Sequence, residues 1–433
     1  MNVYKYPATS EWPTLLKRPV MEAAELEGRV LSILKEVQER GDAALIDFAL
    51  KFDGVAPKTL LATDAEIAEA QSLVSEELKA AINVAKKNIE LFHTAQKEAE
   101  VRVETMPGVN CWRKSLPIEK VGLYIPGGTA PLFSTILMLG VPAQIAGCKQ
   151  LVLCTPPNKE GKVHPAILYT ANLLGIKTIV KAGGAQGIAA MAFGTASVPK
   201  VYKIFGPGNQ YVTTAKQLVT KYGVAIDMPA GPSEVAVIAD NKAHAAFVAA
   251  DLLSQAEHGA DSQVVLISDS EDLINRVQTE VTNQLAQLSR KELAAKALDN
   301  SKAFLVKDLN EAMAMSNVYA PEHLILQVEN TDVLVAQVVN AGSVFIGPYT
   351  PESAGDYASG TNHTLPTNGY ATAYAGVSLD SFIRKVTFQK ITKEGLQIIG
   401  PVIETMAAAE MLDAHKNAVT IRLRAIDSAE NSN

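Results

Sequence analysis

From residue 22 to about residue 100, apolar positions recur at three- and four-residue spacing, as in "AAELEGRVLSILKEVQERGDAALIDFALKF". That period predicts helices with one buried stripe. The rhythm changes near Val121. "KVGLYIPGG", "QLVLCTPPN", "KTIVKAGGAQG" and "YKIFGPGN" each run from a short apolar strand into a Gly or Pro loop. Helical stretches such as "AILYTANLLG" and "QYVTTAKQLVTKYG" lie between or after them. A second set follows: "SEVAVIAD", "SQVVLISD", "AFLVKD", "HLILQV" and "GSVFIG". It too alternates with helical patterns. Strand–helix alternation predicts parallel sheets with helices on both faces, and two sets predict an α/β chain with two Rossmann-like parallel-sheet domains.

Two segments depart from this rhythm. Residues 121 to 148 carry no charge, but Pro126, Pro131 and Pro142 and several glycines interrupt them. A spanning helix needs roughly 20 continuous apolar residues, so the stretch reads as buried strand, loop and helix. The segment "GPYTPESAGDYASGTNHTLPTNGY", residues 347 to 370, reads as a long loop, a length usual for functional or disordered segments. It carries Glu352, Asp356 and His363. After Asp380 the pattern reads as mostly helical, a tail too small for a domain and suited to packing on a neighbouring subunit.

The chain has 433 residues, a length that favours two or three domains. Its 48% apolar and 20% charged residues fit a soluble globular protein. A net charge of −7 without any Lys or Arg block argues against a nucleic-acid surface. The 3 cysteines, Cys111, Cys148 and Cys154, form no CxxC and suggest a reducing compartment. The first residues lack a basic start followed by an apolar core, so no signal peptide is read and a cytoplasmic location is expected.

Ligands of α/β proteins bind beyond the carboxyl ends of parallel strands. "YIPGG", "AGGAQG", "FGPGN" and "MPAGPS" leave such ends with glycines, which allow close backbone approach. "GPGNQY" lacks the third glycine of the dinucleotide fingerprint, so ordinary tight turns stay open as the alternative. In "LLSQAEHGADS", Gln255 and His258 stand three apart on a helix and share a face. They read either as half of a metal site or as a polar helix end. "APEHLILQV" sets Glu322 beside His323 at a strand mouth, an acid–base pair or a turn with a surface histidine. "AAAEMLDAH" offers Glu410 and His415, which an unbroken helix would hold about 140° apart. His93, His164 and His244 have no polar company and read as structural or exposed.

Together "VGLYIPGGTAPLFST", "KIFGPGN", "DMPAGPSEV", "DLLSQAEHGADSQV", "PEHLI", "PESAGDYASGTNHTLPT" and "ETMAAAE…AHKNAV" resemble the histidinol dehydrogenase family, in order from about residue 25 to the end. The resemblance implies oxidation of L-histidinol to L-histidine through L-histidinal in two NAD-dependent steps, the last of histidine biosynthesis. It implies one zinc ion per site, held by Gln255, His258, Asp356 and His415. Glu322 and His323 match the catalytic acid–base pair. Tyr124, Gln186 and Asn209 match the NAD contacts. Ser233, His323, His363 and Glu410 match substrate contacts, together with the zinc ligands. A homodimer is implied, with an active site shared between subunits through the C-terminal segment, and neither a nucleic-acid nor a membrane partner.

The expected organisation is then an N-terminal segment 1–24 and a discontinuous α/β domain of 25–121 plus 232–378, which carries zinc and catalysis. An NAD-binding α/β domain 122–231 and a helical dimerisation segment 379–433 complete it. Two rivals remain at this level. One is a zinc-dependent hydrolase on an α/β scaffold that uses the same ligands with Glu322 activating water. The other is a non-catalytic amino-acid-binding protein, which would need neither Glu322–His323 nor zinc.

Overall fold

The run "EVAVIA" forms a strand buried at all 6 positions. Its five residues after Glu234 are all apolar, as in a central strand of a parallel sheet covered on both faces. The computed structural model describes residues 1–19, 23–127 and 130–430. In chain order the strands are β1 (Asn2–Lys5), β2 (Arg102–Met106), β3 (Val109–Pro117), β4 (Lys120–Tyr124), β5 (Gln150–Thr155), β6 (Thr178–Lys181) and β7 (Lys203–Phe205). They continue as β8 (Ala225–Ile226), β9 (Glu234–Ala239), β10 (Gln263–Ser268), β11 (Lys302–Leu305), β12 (His323–Gln327), β13 (Ser343–Ile346) and β14 (Ile383–Ile391).

The first unit comprises Met1–Gln96 and Ile118–Phe382. It holds two parallel sheets, ordered β1-β11-β10-β9-β12-β13 and β6-β5-β4-β7-β8. This is the α/β architecture expected, with strands β4 to β7 and β9 to β13 where the two sets of apolar runs place them. The N-terminal residues add β1 to one edge of the larger sheet, against β11. Residues 23 to 94 are helical in four main pieces, Ala23–Arg40, Asp42–Phe48, Asp64–Leu73 and Glu76–Thr94.

The uncharged stretch 121–148 holds β4 and the helix Ser134–Ala146, whose first 10 residues are all buried despite Pro142. A helix apolar on every side belongs inside a core. Two glycines are required by close approach. A Cβ at Gly206, where φ is +131°, would sit 2.1 Å from the Tyr124 carbonyl oxygen. A Cβ at Gly342 would sit 2.6 Å from the Glu322 carbonyl oxygen. Both let neighbouring segments of backbone approach closely.

The second unit comprises Lys97–Pro117 and Ile383–Asn433. Its antiparallel sheet, ordered β14-β3-β2, corrects the mostly helical reading of residues after 380, because β14 pairs along its whole length with β3. Two helices follow, Lys393–Ala409 and Asp413–Glu430. Among the described residues no helix is long and apolar enough to cross a membrane.

Candidate active site

His323 is the first residue of β12 and lies beside Val235 of β9. The helix Leu309–Tyr319 stops at Ala320, which is left-handed at φ +50°, and Pro321 prevents its continuation. Glu322 and His323 are thereby delivered to the amino ends of the larger sheet's strands. Glu234, the first residue of β9, meets them with its backbone. Its N–H donates to Glu322 Oε2 at 3.0 Å, and its carbonyl faces His323 Nδ1 at 3.3 Å. The smaller sheet faces the same space with carboxyl ends instead: β4 ends at Tyr124, and the glycine turn follows β7. Only that half of the site obeys the strand-end rule.

A cavity of about 260 Å³ is lined by Ser233, Gln255, His258, Glu322, His323, Asp356 and His363, with Gly206 to Asn209 on another wall. Gln255 ends the buried face of the helix Ala245–Ala256 and is fully buried. Its Oε1 lies 3.0 Å from His323 Nδ1, while its Nε2 has no partner. His258, one turn on, opens to the cavity.

Residues 352–357, read as part of a loop, form a helix, Glu352–Tyr357. Glu352 and Asp356 therefore share a face. One ligand atom each of His258, Glu352 and Asp356 lies within 4.8 Å of the others, the one such grouping among the described residues. Glu352, named in the sequence only as part of that loop, is given no role there. Its spacing from Asp356 is the signal that marks it once the segment is seen as helical.

His363 is fixed at both nitrogens. Nδ1 lies 2.9 Å from the Asp356 carbonyl oxygen and Nε2 lies 3.0 Å from the Thr135 hydroxyl. With N–H on Nδ1, the ring donates to the carbonyl and accepts from Thr135, a neutral tautomer. Burial lowers the His363 imidazole to about 4. Burial also lowers His323 to about 3, so its ring is neutral. Its Nε2 has no hydrogen-bond partner and lies 3.8 Å from Asp356 Oδ1. Burial drives the Glu322 carboxyl well above the usual carboxylate range, opposed by the Glu234 N–H. Burial raises Asp356 to about 6, with the His258 imidazole opposing. Burial likewise lowers His258, against the pull of Asp356.

A second cavity, about 660 Å³, is lined by Tyr124, Gln186 and Asn209, with Asp53, Pro156 and Tyr211. The Tyr124 hydroxyl accepts the Gly184 N–H at 2.8 Å, tying β4 to the start of the helix Gly184–Phe193, whose first turn carries Gln186. Asn209 caps the helix Gln210–Val219 by accepting the Val212 N–H at 3.2 Å. It lines both cavities. A larger concavity, about 1020 Å³, lies on the antiparallel sheet of the second unit. No histidine is among the residues lining it, so the smaller cavities are the candidate sites.

Glu410 and His415 lie in the second unit, both exposed. The helix between them does end first: Glu410 closes Lys393–Ala409, Met411 turns left-handed at φ +58°, and His415 lies in the first turn of the next helix, Asp413–Glu430. The other three histidines are structural. His93 is buried with Nδ1 2.9 Å from the Ile89 carbonyl oxygen, His164 caps the helix Pro165–Leu173, and His244 packs on Phe247.

A family model described as "Histidinol dehydrogenase" matches residues 16–423. A histidinol dehydrogenase of Bacteroides thetaiotaomicron is 62% identical over 426 residues, which are 98% of this chain and 100% of that one. One from Escherichia coli (strain K12) is 54% identical over 415 residues, 95% of each chain. The crystal structure of histidinol dehydrogenase from Elizabethkingia anophelis has a TM-score of 0.96 and 57% identity, covering 99% of both chains.

Proposed function

The chain belongs to the histidinol dehydrogenase family, and from that premise we propose that it oxidises L-histidinol to L-histidine with two NAD, through L-histidinal, at a zinc-bearing site. The observation that carries the reading is a buried Glu322–His323 pair in one cavity with Gln255, His258 and Asp356. The balance is one alcohol, one water and two NAD giving one carboxylate, two NADH and three protons.

The donor set fits a divalent cation. Imidazole, carboxylate and amide oxygen suit zinc, and buried polar atoms without partners surround it. Gln255, His258 and Asp356 would hold the ion with His415 of a second copy. Zinc, when bound, supplies a fixed positive anchor for the substrate's amine and imidazole. Ser233, His363 and the second copy's Glu410 would grip the rest of the substrate. Tyr124, Gln186 and Asn209 would hold NAD in the larger cavity, and NAD supplies the hydride acceptor. Residues 122–231 would form the NAD-binding domain, 25–121 plus 232–378 the zinc-binding and catalytic one, and 379–433 the dimerisation segment. The compartment in this reading is the cytoplasm.

The chain's own residues move the protons. Neutral His323, with Nε2 free, takes the hydroxyl proton of the alcohol as hydride leaves its carbon. The aldehyde then needs water, because hydride departs only from a tetrahedral carbon. Glu322, buried and held by one backbone N–H, takes the proton of that water. His323 receives the hydroxyl proton of the resulting hydrate in the second oxidation. Burial of the pair excludes bulk water from the reacting carbon.

Histidinol and histidinal, supplied separately with NAD, test this assignment through the NADH formed in the first turnover. Glu322→Gln should slow histidinal oxidation by about 10²- to 10⁴-fold and spare the first hydride transfer from histidinol, whereas His323→Asn should slow both. Equal slowing of both substrates by Glu322→Gln would refute the role of Glu322. Absence of NADH from the unaltered protein would refute the dehydrogenase reading itself.

A further inference from the structure

Glu352 has no role in the reaction as described, yet its surroundings demand one. Its side chain is 1% exposed, and among the described residues neither carboxylate oxygen meets a hydrogen-bond donor. A buried carboxylate is strongly unfavourable without donors or a cation around it. One donor stands close by: His323 Nδ1 is 3.7 Å from Glu352 Oε1. Gln255, whose side chain meets that same nitrogen, has a buried Nε2 without a partner among the described residues. The same His323 nitrogen lies 3.0 Å from Gln255 Oε1. That oxygen is the atom Gln255 would give to a metal ion, so one acceptor has two claimants.

We propose that Glu352 is a positioning residue, the acceptor that takes over when Gln255 turns its oxygen to the metal. Its carboxylate then receives the His323 Nδ1–H and the Gln255 Nε2–H. Three unpartnered atoms, both Glu352 oxygens and Gln255 Nε2, are satisfied together. Gln255 is held with its oxygen toward the ion. His323 is held in the tautomer whose Nε2 bears no hydrogen, the nitrogen that needs to accept the substrate's proton. The Glu234 carbonyl, 3.3 Å from Nδ1, remains a weaker backbone acceptor, so loss of Glu352 impairs the tautomer without abolishing it. Groups that orient metal ligands from behind in this way are worth about 10- to 100-fold in metal affinity or activity.

The inference rests on the dehydrogenase reading, and its test separates the two. Metal-stripped protein, Glu352→Gln and Glu352→Asp would each compete with a chromogenic chelator for zinc, with no substrate present. Circular dichroism would check that each variant folds. Glu352→Gln should bind zinc about 10- to 100-fold more weakly. At saturating zinc its first turnover from histidinol should still be slowed at least tenfold, with KM changed little. Nitrogen-15 spectra of the zinc-loaded variant should show a smaller share of His323 protonated at Nδ1. Glu352→Asp should recover part of each loss. Zinc affinity and first-turnover rate both within twofold of the unaltered protein would overturn the proposal. Weakened zinc with a normal rate at saturation would also overturn it, by reducing Glu352 to a plain ligand. Lack of any histidinol oxidation by the unaltered protein would count against the dehydrogenase reading instead, since the zinc measurement stands without it.

Discussion

Replacing Lys216 by Met strips the counter-charge from a buried carboxylate. Lys216 Nζ lies 2.5 Å from Asp227 Oδ1, and the two side chains are 3% and 0% exposed. Lys216 also donates to the Gly206 carbonyl at 2.8 Å. Asp227 accepts the N–H groups of Gly206 at 2.8 Å and Met228 at 2.7 Å. Breaking a buried pair from one side costs about 3–5 kcal/mol. Asp227 keeps two backbone donors after the change, which places Lys216→Met at the lower end, about 3 kcal/mol. Asp227→Asn leaves the ammonium with one carbonyl and turns an amide N–H₂ toward a backbone donor, again about 3 kcal/mol. The double variant removes both charges, so its cost should fall short of the sum by about 2 kcal/mol.

Urea unfolding of the four proteins, followed by circular dichroism, measures the cycle. The pair also holds both sides of the Gly206 turn that leads to Asn209, so each single variant should weaken NAD binding in a fluorescence titration. Single costs that add to the double cost within about 0.5 kcal/mol, the scatter of independent sites, would refute the coupling.

As a ligand in the proposed site, Asp356 would set a pH dependence for metal binding. Its carboxyl, raised to about 6 by burial, must lose its proton to bind a cation, so zinc affinity of the stripped protein should fall about tenfold per pH unit below about pH 6 and level off above it. Chelator competition from about pH 5 to about pH 7.5 checks the slope, and a flat response contradicts it. Mixing Glu322→Gln with His415→Asn under conditions that exchange subunits should restore activity toward a quarter of the unaltered level. Half the dimers would then be mixed, each with one site carrying both lesions and one carrying neither. Proven exchange without recovery would place all the groups on one chain.

Strands β9 to β13 are legible because burial on both faces leaves runs such as "SEVAVIAD" with nothing polar inside them, bounded by turn residues. The antiparallel sheet is hidden for the opposite reason. β14, "IRKVTFQKI", has an exposed face, and its apolar residues at 383, 386, 388 and 391 mix two periods. Only its pairing with β3, across more than 260 residues of sequence, settles the choice, and no local pattern contains that partner. Gln255 and His258 are legible as a pair by helical spacing. Their company with Asp356 is tertiary, and motif resemblance alone links them beforehand. Glu352 escapes both routes, since the Gly, Ser and Pro around it conceal a helix of 6 residues.

Asn209, the helix cap that borders both cavities, makes them neighbouring rooms with a common wall. In the proposed reaction a substrate oxidised twice would have to outlast its first oxidant: the spent dinucleotide would leave and a fresh one arrive while the reactive aldehyde stayed behind. Adjoining chambers allow that changeover, because one can empty without the other. The wall itself is a residue already fixed in place by the helix it caps, so turnover on one side need not loosen the grip on the other.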